Sequence, residues 1–242
     1  MNSNIVQNLS GKNEKEIAAM FDSISPSYDF LNHFLSFGTD TYWRQVCVKE
    51  VARIQPEKIL DIATGTGDLA IKLAKKLNKA SITGVDISGA MLGLAQKKIK
   101  KRKLEDRIVL NQASVLSLPF DNSCFDAVTV AFGVRNFEDI DKAFSEVKRV
   151  LKPGGMLYVL EFSKPSNRLV FFVYNLYFSY ILPWLGKLFS GHKYAYRYLN
   201  RSASLFPSGK TFENILRKNN FEPVSTRPLT FGIATFYVGK TP

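Results

Sequence analysis

The sequence predicts an α/β fold in which a mostly parallel, doubly wound sheet carries helices on both faces. Three observations support this prediction. Short apolar segments alternate with amphipathic helical segments from residue 58 to residue 162. A glycine-rich turn joins the first apolar segment to the following helix, and an acidic residue ends the second apolar segment. Alternation of this kind is typical of a parallel sheet built from βαβ units.

The N-terminal part, residues 1–55, is predicted to be a helical cap. Residues 1–15 are polar and lack hydrophobic periodicity, so we expect a mobile leader or a late-folding part of the cap. Residues 16–37 have a helical pattern that becomes loop-like, with Pro26 as a break. Residues 42–54 are predicted to form a second helix that ends before a proline.

Seven strands and four further helices are predicted after this cap. The strands are 58–63, 81–85, 108–110, 125–132, 156–162, 222–227 and 233–238. The helices begin at Asp68 and at Ser88, and cover 140–151 and 209–219. The last two strands, joined by a turn over 228–232, are expected to be antiparallel at the sheet edge. The lysine run at 97–103 is expected to be a solvated helix end.

The turn after the first strand is the clearest candidate for a binding site. Its sequence is Asp61-Ile62-Ala63-Thr64-Gly65-Thr66-Gly67-Asp68. Glycines permit a tight turn and a close approach of the ligand to the backbone, and ligands of such sheets lie beyond the carboxyl ends of the strands. Asp86 ends the next strand, where an acidic residue binds ribose hydroxyls. Candidate cofactor-binding residues are Asp61, Gly65, Thr66, Gly67 and Asp86.

Two other interpretations of this turn stay open at this stage. Gly65-x-Gly67-x-x-Ala70 also satisfies the loose dinucleotide fingerprint of an NAD-dependent dehydrogenase. The glycines could also form a simple tight turn with Asp86 as a helix cap. Asp61 favours an adenosyl-amino acid, because it stands where such a cofactor presents its ammonium group. The whole arrangement resembles class I S-adenosylmethionine methyltransferases.

That resemblance implies a Rossmann-like fold, with a mostly parallel seven-stranded sheet and an antiparallel edge strand. It implies S-adenosyl-L-methionine as co-substrate, and no metal. Ser114 and Val115 follow the third strand, where such folds contact the adenine, so both join the candidate cofactor-binding residues.

Three motifs narrow the resemblance to the ubiquinone/menaquinone biosynthesis C-methyltransferase family. Residues 149–163, RVLKPGGMLYVLEFS, are similar to its second signature. Tyr28-Asp29-Phe30-Leu31-Asn32, followed by Trp43-Arg44, resembles the first, and residues 132–136, FGVRN, resemble a further typical stretch. Leu31 replaces the usual methionine, and Asp40 replaces the usual histidine.

The family implies C-methylation of a reduced quinone ring that carries a polyprenyl tail. We expect the conversion of demethylmenaquinol to menaquinol, the last step of menaquinone biosynthesis. A benzoquinol precursor of ubiquinone is the alternative, followed by another small-molecule acceptor.

Candidate catalytic residues are Arg135, Asn136, Tyr28 and Asp29. A cation near the phenolate oxygen lowers its pKa, and Arg135 ends the fourth strand beside Asn136. The other interpretation is that Arg135 pairs with a carboxylate for structural reasons. Tyr28 and Asp29 are expected to shape the ring pocket or to assist proton removal, and His33 is a less favoured base.

The charge distribution predicts the partners of the chain. The formal net charge is +12, and residues 163–212 contain no Asp or Glu. Basic residues among bulky apolar ones in the insert, 163–207, suit a membrane surface better than nucleic acid. Asn175, Pro183 and Lys187 interrupt its apolar run, which argues against a transmembrane helix.

The expected location is the cytoplasm, at the inner face of the membrane. No secretion signal is visible, and the two cysteines, which lack CxxC spacing, fit a reducing compartment. We expect a single methyltransferase domain over 1–242. The sequence does not decide whether the chain forms a homo-oligomer.

Overall fold

The structure is a computed structural model that describes residues 13–36, 38–165, 167–176, 198 and 201–242. The predicted leader lies outside these residues up to position 12, and so do positions 177–197 of the insert, including Pro183 and Lys187.

A seven-stranded sheet forms the centre of the molecule, in the order β3-β2-β1-β4-β5-β7-β6. Strands β1 to β5 are parallel, and β7 is antiparallel to both β5 and the edge strand β6. The antiparallel strand is therefore second from the edge. The strands are β1 Lys58–Ile62, β2 Ser81–Asp86, β3 Ile108–Gln112, β4 Phe125–Ala131, β5 Leu151–Phe162, β6 Ser225–Leu229 and β7 Ala234–Lys240.

Helices cover both faces of the sheet. They are α1 Glu14–Leu35, α2 Thr39–Arg53, α3 Asp68–Lys76, α4 Gly89–Lys101, α5 Ile140–Val150, α6 Arg168–Leu176 and α7 Lys210–Lys218. Apolar side chains of α2, α3 and α4 pack on one face, and those of α5 and α7 pack on the other. Within the predicted N-terminal cap, α2 thus belongs to the core layer, whereas α1 lies across the carboxyl ends of the strands.

Most predicted elements are confirmed, and the bounds differ in two instructive places. The predicted break at Pro26 is wrong, because α1 continues through it to Leu35. Proline lacks the amide hydrogen that would bond to the carbonyl of Asp22, and the hydroxyl of Ser25 donates to that oxygen instead, at 3.0 Å. The helix is thereby preserved across the proline.

The second difference concerns the start of β5. The Lys152-Pro153-Gly154-Gly155 segment was predicted to precede the strand, but β5 begins at Leu151 and includes it. Pairing with β4 shifts register between Phe125 and Ala127, whose partners are Leu151 and Met156. The glycines therefore form an irregularity within the strand. In the same way, Pro228 lies in β6 and not in the following turn, which covers Thr230–Gly232.

Candidate active site

The glycine turn lies where the sequence predicted it, between β1 and α3. Gly65 and Gly67 have φ of 57° and 79°, in the left-handed region that favours glycine. A Cβ atom added to Gly65 would meet no atom within 4 Å. Its backbone therefore faces open space, as a turn that cradles a ligand requires.

Asp86 is fixed beside this turn by backbone amides. Its Oδ2 accepts from the amide of Gly65 at 2.8 Å, and its Oδ1 accepts from the amide of Ser88 at 2.9 Å. Burial raises its pKa, although these amide bonds act in the opposite direction. Each carboxylate oxygen can accept a further bond, so Asp86 keeps the capacity to bind ribose hydroxyls.

Asp61 is a buried acid behind the turn, with 1% of its surface exposed. It accepts from the hydroxyl of Thr64 at 2.7 Å and from that of Thr129 at 2.6 Å. Burial nevertheless raises its pKa to about 6. A cation bound beside Asp61 would favour its ionised form. Asp61 is not among the residues that line the cleft described below, so its contact with an ammonium group stays a prediction.

Helix α1 closes the site from above through three acidic residues. Glu14 accepts from the hydroxyl of Ser114 at 2.6 Å, after β3. Asp22 accepts from the hydroxyl of Ser88 at 2.5 Å, after β2. Asp29 accepts from the hydroxyl of Thr66 at 2.5 Å, after β1. One helix is thus bonded to the loops that follow three neighbouring strands.

Lys98 strengthens the last of these contacts. Its Nζ lies 2.5 Å from Asp29 and 2.7 Å from Asp68, and it donates to the hydroxyl of Thr66 at 2.9 Å. The prediction that the 97–103 lysines form only a solvated helix end is therefore wrong for Lys98. Its side chain, 22% exposed, is the cation that joins α4, α1 and the glycine turn.

A cleft of about 650 Å³, counting its open mouth, lies between α1 and the strand ends. Helix α1 supplies four of the residues that line it, Glu14, Ile17, Phe21 and Tyr28. The opposite wall includes Gly65, Asp86, Met91, Val115, Phe132 and Asn136. Two acidic residues and an open glycine backbone border a mostly apolar cavity, and this donor and acceptor set fits a bound S-adenosylmethionine.

Aromatic rings gather at the part of the cleft that Phe132 lines. Phe132 and Phe162 follow or end neighbouring strands, and their ring centroids are 4.8 Å apart. Trp43 packs edge-on against Phe162 at 6.0 Å. Phe132 has φ of 59°, an uncommon conformation for a bulky residue that turns the chain at the end of β4. Three rings thus gather beside the predicted catalytic residues.

One end of the Arg135 guanidinium makes its hydrogen bonds within the protein. Its Nη1 donates to Glu161 at 2.5 Å and to the carbonyl of Phe132 at 2.7 Å, and its side chain is 4% exposed. The structural pairing weighed from the sequence therefore exists. Arg135 Nε, however, is buried with no hydrogen-bond partner among the described residues. A buried donor without a partner is rare, but Arg135 is not among the residues that line the cleft described above, so its contact with a ligand stays a prediction.

The other predicted catalytic residues differ in whether they line the cleft. Tyr28 and Asn136 line the cleft. Burial raises the pKa of the Tyr28 hydroxyl, and the cations Arg135 and Arg44 act against that rise. Asn136 accepts from the hydroxyl of Tyr198, which brings the insert to the site, at 2.9 Å. Asp29 is held by Lys98 and Thr66 and is not among the lining residues, so its catalytic role stays a prediction.

Sequence reasoning missed the residues that reach the site from distant elements, namely Glu14, Lys98, Glu161 and Tyr198. Their contacts span 26 to 100 positions, and no local pattern indicates them. The described residues contain no group of three or more His, Cys, Asp or Glu placed to hold a metal.

Comparison with solved structures defines the fold. A methyltransferase from Aquifex aeolicus that depends on S-adenosylmethionine superposes with a TM-score of 0.59 at 16% identity, over 81% of this chain and 89% of that chain. A further such methyltransferase from Thermotoga maritima has a TM-score of 0.63 at 20% identity, over 93% of this chain and 99% of that one. The fold is that of a class I methyltransferase dependent on S-adenosylmethionine.

Sequence comparison is more specific. Residues 9–241 match the model of the ubiE/COQ5 methyltransferase family, and the chain belongs to that family. A demethylmenaquinone methyltransferase of Thermus thermophilus is 45% identical, over 92% of this chain and 100% of its own. One from Bacteroides fragilis is 42% identical, over 94% and 93%. A ubiquinone/menaquinone biosynthesis C-methyltransferase, UbiE, of Geotalea daltonii is 43% identical, over 96% and 98%. The chain is thus a methyltransferase that uses S-adenosylmethionine.

Proposed function

We propose that the chain methylates a ring carbon of demethylmenaquinol to give menaquinol. The observation that carries this proposal is the part of the cleft that Tyr28, Phe132 and Asn136 line. Phe162 packs against Phe132, and the cations Arg135 and Arg44 act electrostatically on the Tyr28 hydroxyl. Such a pocket suits a flat aromatic acceptor that becomes an anion during the reaction. Two relatives above 40% identity carry the name demethylmenaquinone methyltransferase.

When bound, S-adenosylmethionine supplies a methyl group that its sulfonium has already activated. The residues of this chain have to orient the acceptor and favour its phenolate. Arg135 would hold the oxygen beside the reacting carbon through Nε, the atom that lacks a partner among the described residues. Tyr28 would border the ring. Holding both reactants in line supplies on the order of 7–11 kcal/mol at the ideal limit.

The atoms balance without an oxidant or a reductant. The acceptor hydroxyl loses a proton, the ring carbon forms a bond to the methyl group, and the sulfur–methyl bond breaks to leave a thioether. The ring carbon then loses its hydrogen as a proton, and the phenolate oxygen regains one. One proton is released for each methyl group transferred.

The test is transfer from S-adenosylmethionine with a labelled methyl group to reduced demethylmenaquinone, followed by mass spectrometry of the extracted lipid. A gain of one methyl group on the ring is expected. A reduced benzoquinone precursor of ubiquinone serves as the second acceptor, since the relative from Geotalea daltonii carries both quinones in its name. Methylation of the benzoquinol alone would replace the naphthoquinol substrate. Binding of NADH in place of S-adenosylmethionine would contradict the whole proposal.

We also propose that α6 rests on the membrane that holds the lipid substrate. Leu169 and Phe172 on this helix are 72% and 65% exposed, and Arg168 begins it. No described helix is long and apolar enough to cross a bilayer. Exposed apolar residues beside a cation are typical of an interfacial helix.

Co-sedimentation with vesicles that contain anionic lipid tests this contact. Leu169→Ser/Phe172→Ser is expected to reduce binding, whereas Val109→Ser, at an exposed site on β3, is expected to leave it unchanged. Equal binding by all three proteins would contradict a role for α6. Weak binding of the unmodified chain would indicate that the substrate arrives in another way.

A further inference from the structure

Two buried arginine–carboxylate pairs flank the aromatic rings of Phe132 and Phe162. Arg135 pairs with Glu161, and Arg44 of α2 pairs with Asp40 one helical turn before it. We propose that Arg44 is a second substrate-binding cation, which holds the ring oxygen of the quinol opposite to the one that Arg135 serves. This inference rests on the proposed function and adds a residue that recognises both hydroxyl groups of the acceptor.

The two cations are arranged alike around the rings. The Cζ atom of Arg135 lies 5.1 Å from the ring centroid of Phe162, and that of Arg44 lies 5.6 Å from the ring centroid of Phe132. The two phenylalanine rings are themselves in contact. Each ring therefore carries one guanidinium, and Phe132 lines the cleft. A guanidinium over an aromatic face is held by its attraction to the ring quadrupole.

Arg44 is buried at considerable electrostatic expense. Its side chain is 11% exposed, and that of Asp40 is 6% exposed. Moving such charges out of water carries a desolvation penalty of several kcal/mol per ion, which the attraction within the pair does not generally exceed. Buried pairs can often be replaced by apolar residues of similar volume without loss of stability. The presence of Arg44 over the ring of Phe132, which lines the cleft, is explained if the cation has a further task.

Asp40 positions Arg44 for that task. Its carboxylate also accepts from the hydroxyl of Ser36 at 2.8 Å and lies 2.8 Å from Nδ1 of His33. Burial raises the pKa of Asp40, but Arg44, His33 and Ser36 outweigh burial and bring it below its ordinary value. Asp40 is therefore ionised and rigidly held, and it accepts one of the five N–H donors of the guanidinium. Among the described residues no other hydrogen-bond acceptor of Arg44 is recorded, so further donors remain for a ligand.

A hydroquinone has two hydroxyl oxygens on opposite sides of its ring, and only one of them is next to the carbon to be methylated. A single cation would leave the ring able to turn about that oxygen. Two cations fix the plane and the direction of the ring, so that one carbon faces the methyl group. Both Arg135 and Arg44 act electrostatically on the Tyr28 hydroxyl, and Tyr28 lines the same cleft as Phe132.

The test compares two acceptors that differ at the distant oxygen. One is short-chain demethylmenaquinol, and the other is the corresponding naphthol, which lacks the oxygen remote from the reacting carbon. The unmodified chain is expected to favour the free diol by roughly tenfold to hundredfold in kcat/KM, the range of a hydrogen bond to a charged group. Arg44→Met is expected to lose most of this preference, chiefly through a raised KM for the diol, while Arg44→Lys retains part of it.

Arg53→Met removes an exposed arginine from the same helix and is the matched control. Thermal unfolding shows whether each variant is folded, and the affinity for S-adenosylhomocysteine, measured by calorimetry, shows whether its cofactor site is intact. Unchanged discrimination in a folded Arg44→Met protein would overturn the inference. Weaker binding of S-adenosylhomocysteine by both Arg44 variants, at unchanged thermal stability, would also overturn it and assign Arg44 to the cofactor. If the unmodified chain methylates neither acceptor, the proposed function itself fails.

Discussion

Asp61 is predicted to reduce the stability of the ligand-free protein, and its replacement by asparagine should reveal this. Burial raises its pKa from 3.8 to about 6. Because the folded pKa lies above the unfolded one, the folded state binds the proton more tightly. The contribution of Asp61 to the stability of the ligand-free chain should therefore fall as the pH rises from about 4 to about 6, and stay low above that. The full shift corresponds to roughly 3 kcal/mol at 1.36 kcal/mol per unit.

Asp61→Asn is accordingly expected to stabilise the ligand-free protein at pH 7 by up to about 3 kcal/mol. The gain will be reduced to the extent that the hydroxyls of Thr64 and Thr129 lose an acceptor. Below pH 4 the two proteins should have similar stability. The free energy of unfolding, measured in urea at several pH values between 4 and 7, checks both statements.

The same change should weaken the binding of S-adenosylmethionine, because the charge that would face its ammonium group is removed. Loss of a charged hydrogen bond corresponds to about 1.5–3 kcal/mol, which calorimetry resolves. The affinity of the unmodified chain should also decline as the pH falls below about 6, where Asp61 becomes protonated in the ligand-free state.

Asp126→Asn is the control with the opposite sign. Lys152 and two backbone amides outweigh the burial of Asp126 and bring its pKa below the ordinary value. Its ionised form therefore adds stability above the unfolded pKa, and the asparagine variant should be less stable at pH 7. If Asp61→Asn also proved less stable at pH 7, with unchanged pH dependence, Asp61 would be an ordinary stabilising carboxylate and the reasoning above would be refuted.

Three further predictions concern packing and the closure of the site. Arg135→Met should lower the free energy of unfolding by about 3–5 kcal/mol, because Glu161 is left buried without its partner. Arg135→Met/Glu161→Leu should recover much of this loss, as measured by unfolding in urea. Equal losses in the two variants would contradict this expectation. Lys98→Met should accelerate the release of S-adenosylhomocysteine in stopped-flow measurements, and an unchanged rate would show that α1 does not retain the ligand. Gly133→Ala should destabilise the fold by about 1–3 kcal/mol, since the new Cβ would lie 2.5 Å from the Cβ of Ala63. Gly93→Ala, on an exposed face of α4 with nothing within 4 Å, should instead stabilise it by about 0.5–1 kcal/mol, and thermal unfolding compares the two.

Local chemistry made the strands, the glycine turn and the helix starts predictable. Ser88, for example, was predicted to begin a helix, and its hydroxyl accepts from the amide of Met91 at 3.1 Å. The break expected at Pro26 was wrong because a neighbouring side chain satisfies the carbonyl that proline leaves open. Helix propensity describes the average behaviour of a residue type, and it does not anticipate the particular hydrogen bond that Ser25 makes.

The site was predictable where its residues follow strand ends, and not where they come from elsewhere. Asp86 was placed by the rule that ligands lie at the carboxyl edge of such sheets, and Val115 by the resemblance to class I methyltransferases. Glu14 meets Ser114 across 100 positions, and only the path of α1 brings the two together. The pair of Asp40 and Arg44 was within reach of sequence reasoning, because residues four apart share one face of a helix.

The attachment of α1 has a consequence for the timing of each reaction cycle. The same helix carries the bonds to all three strand-end loops and also lines the cleft. Breaking one of these bonds leaves the other two in place, so we expect the departure of spent S-adenosylhomocysteine to require movement of the helix as a whole. We expect movement of this helix, and not the methyl transfer itself, to limit the rate of turnover at high substrate concentration.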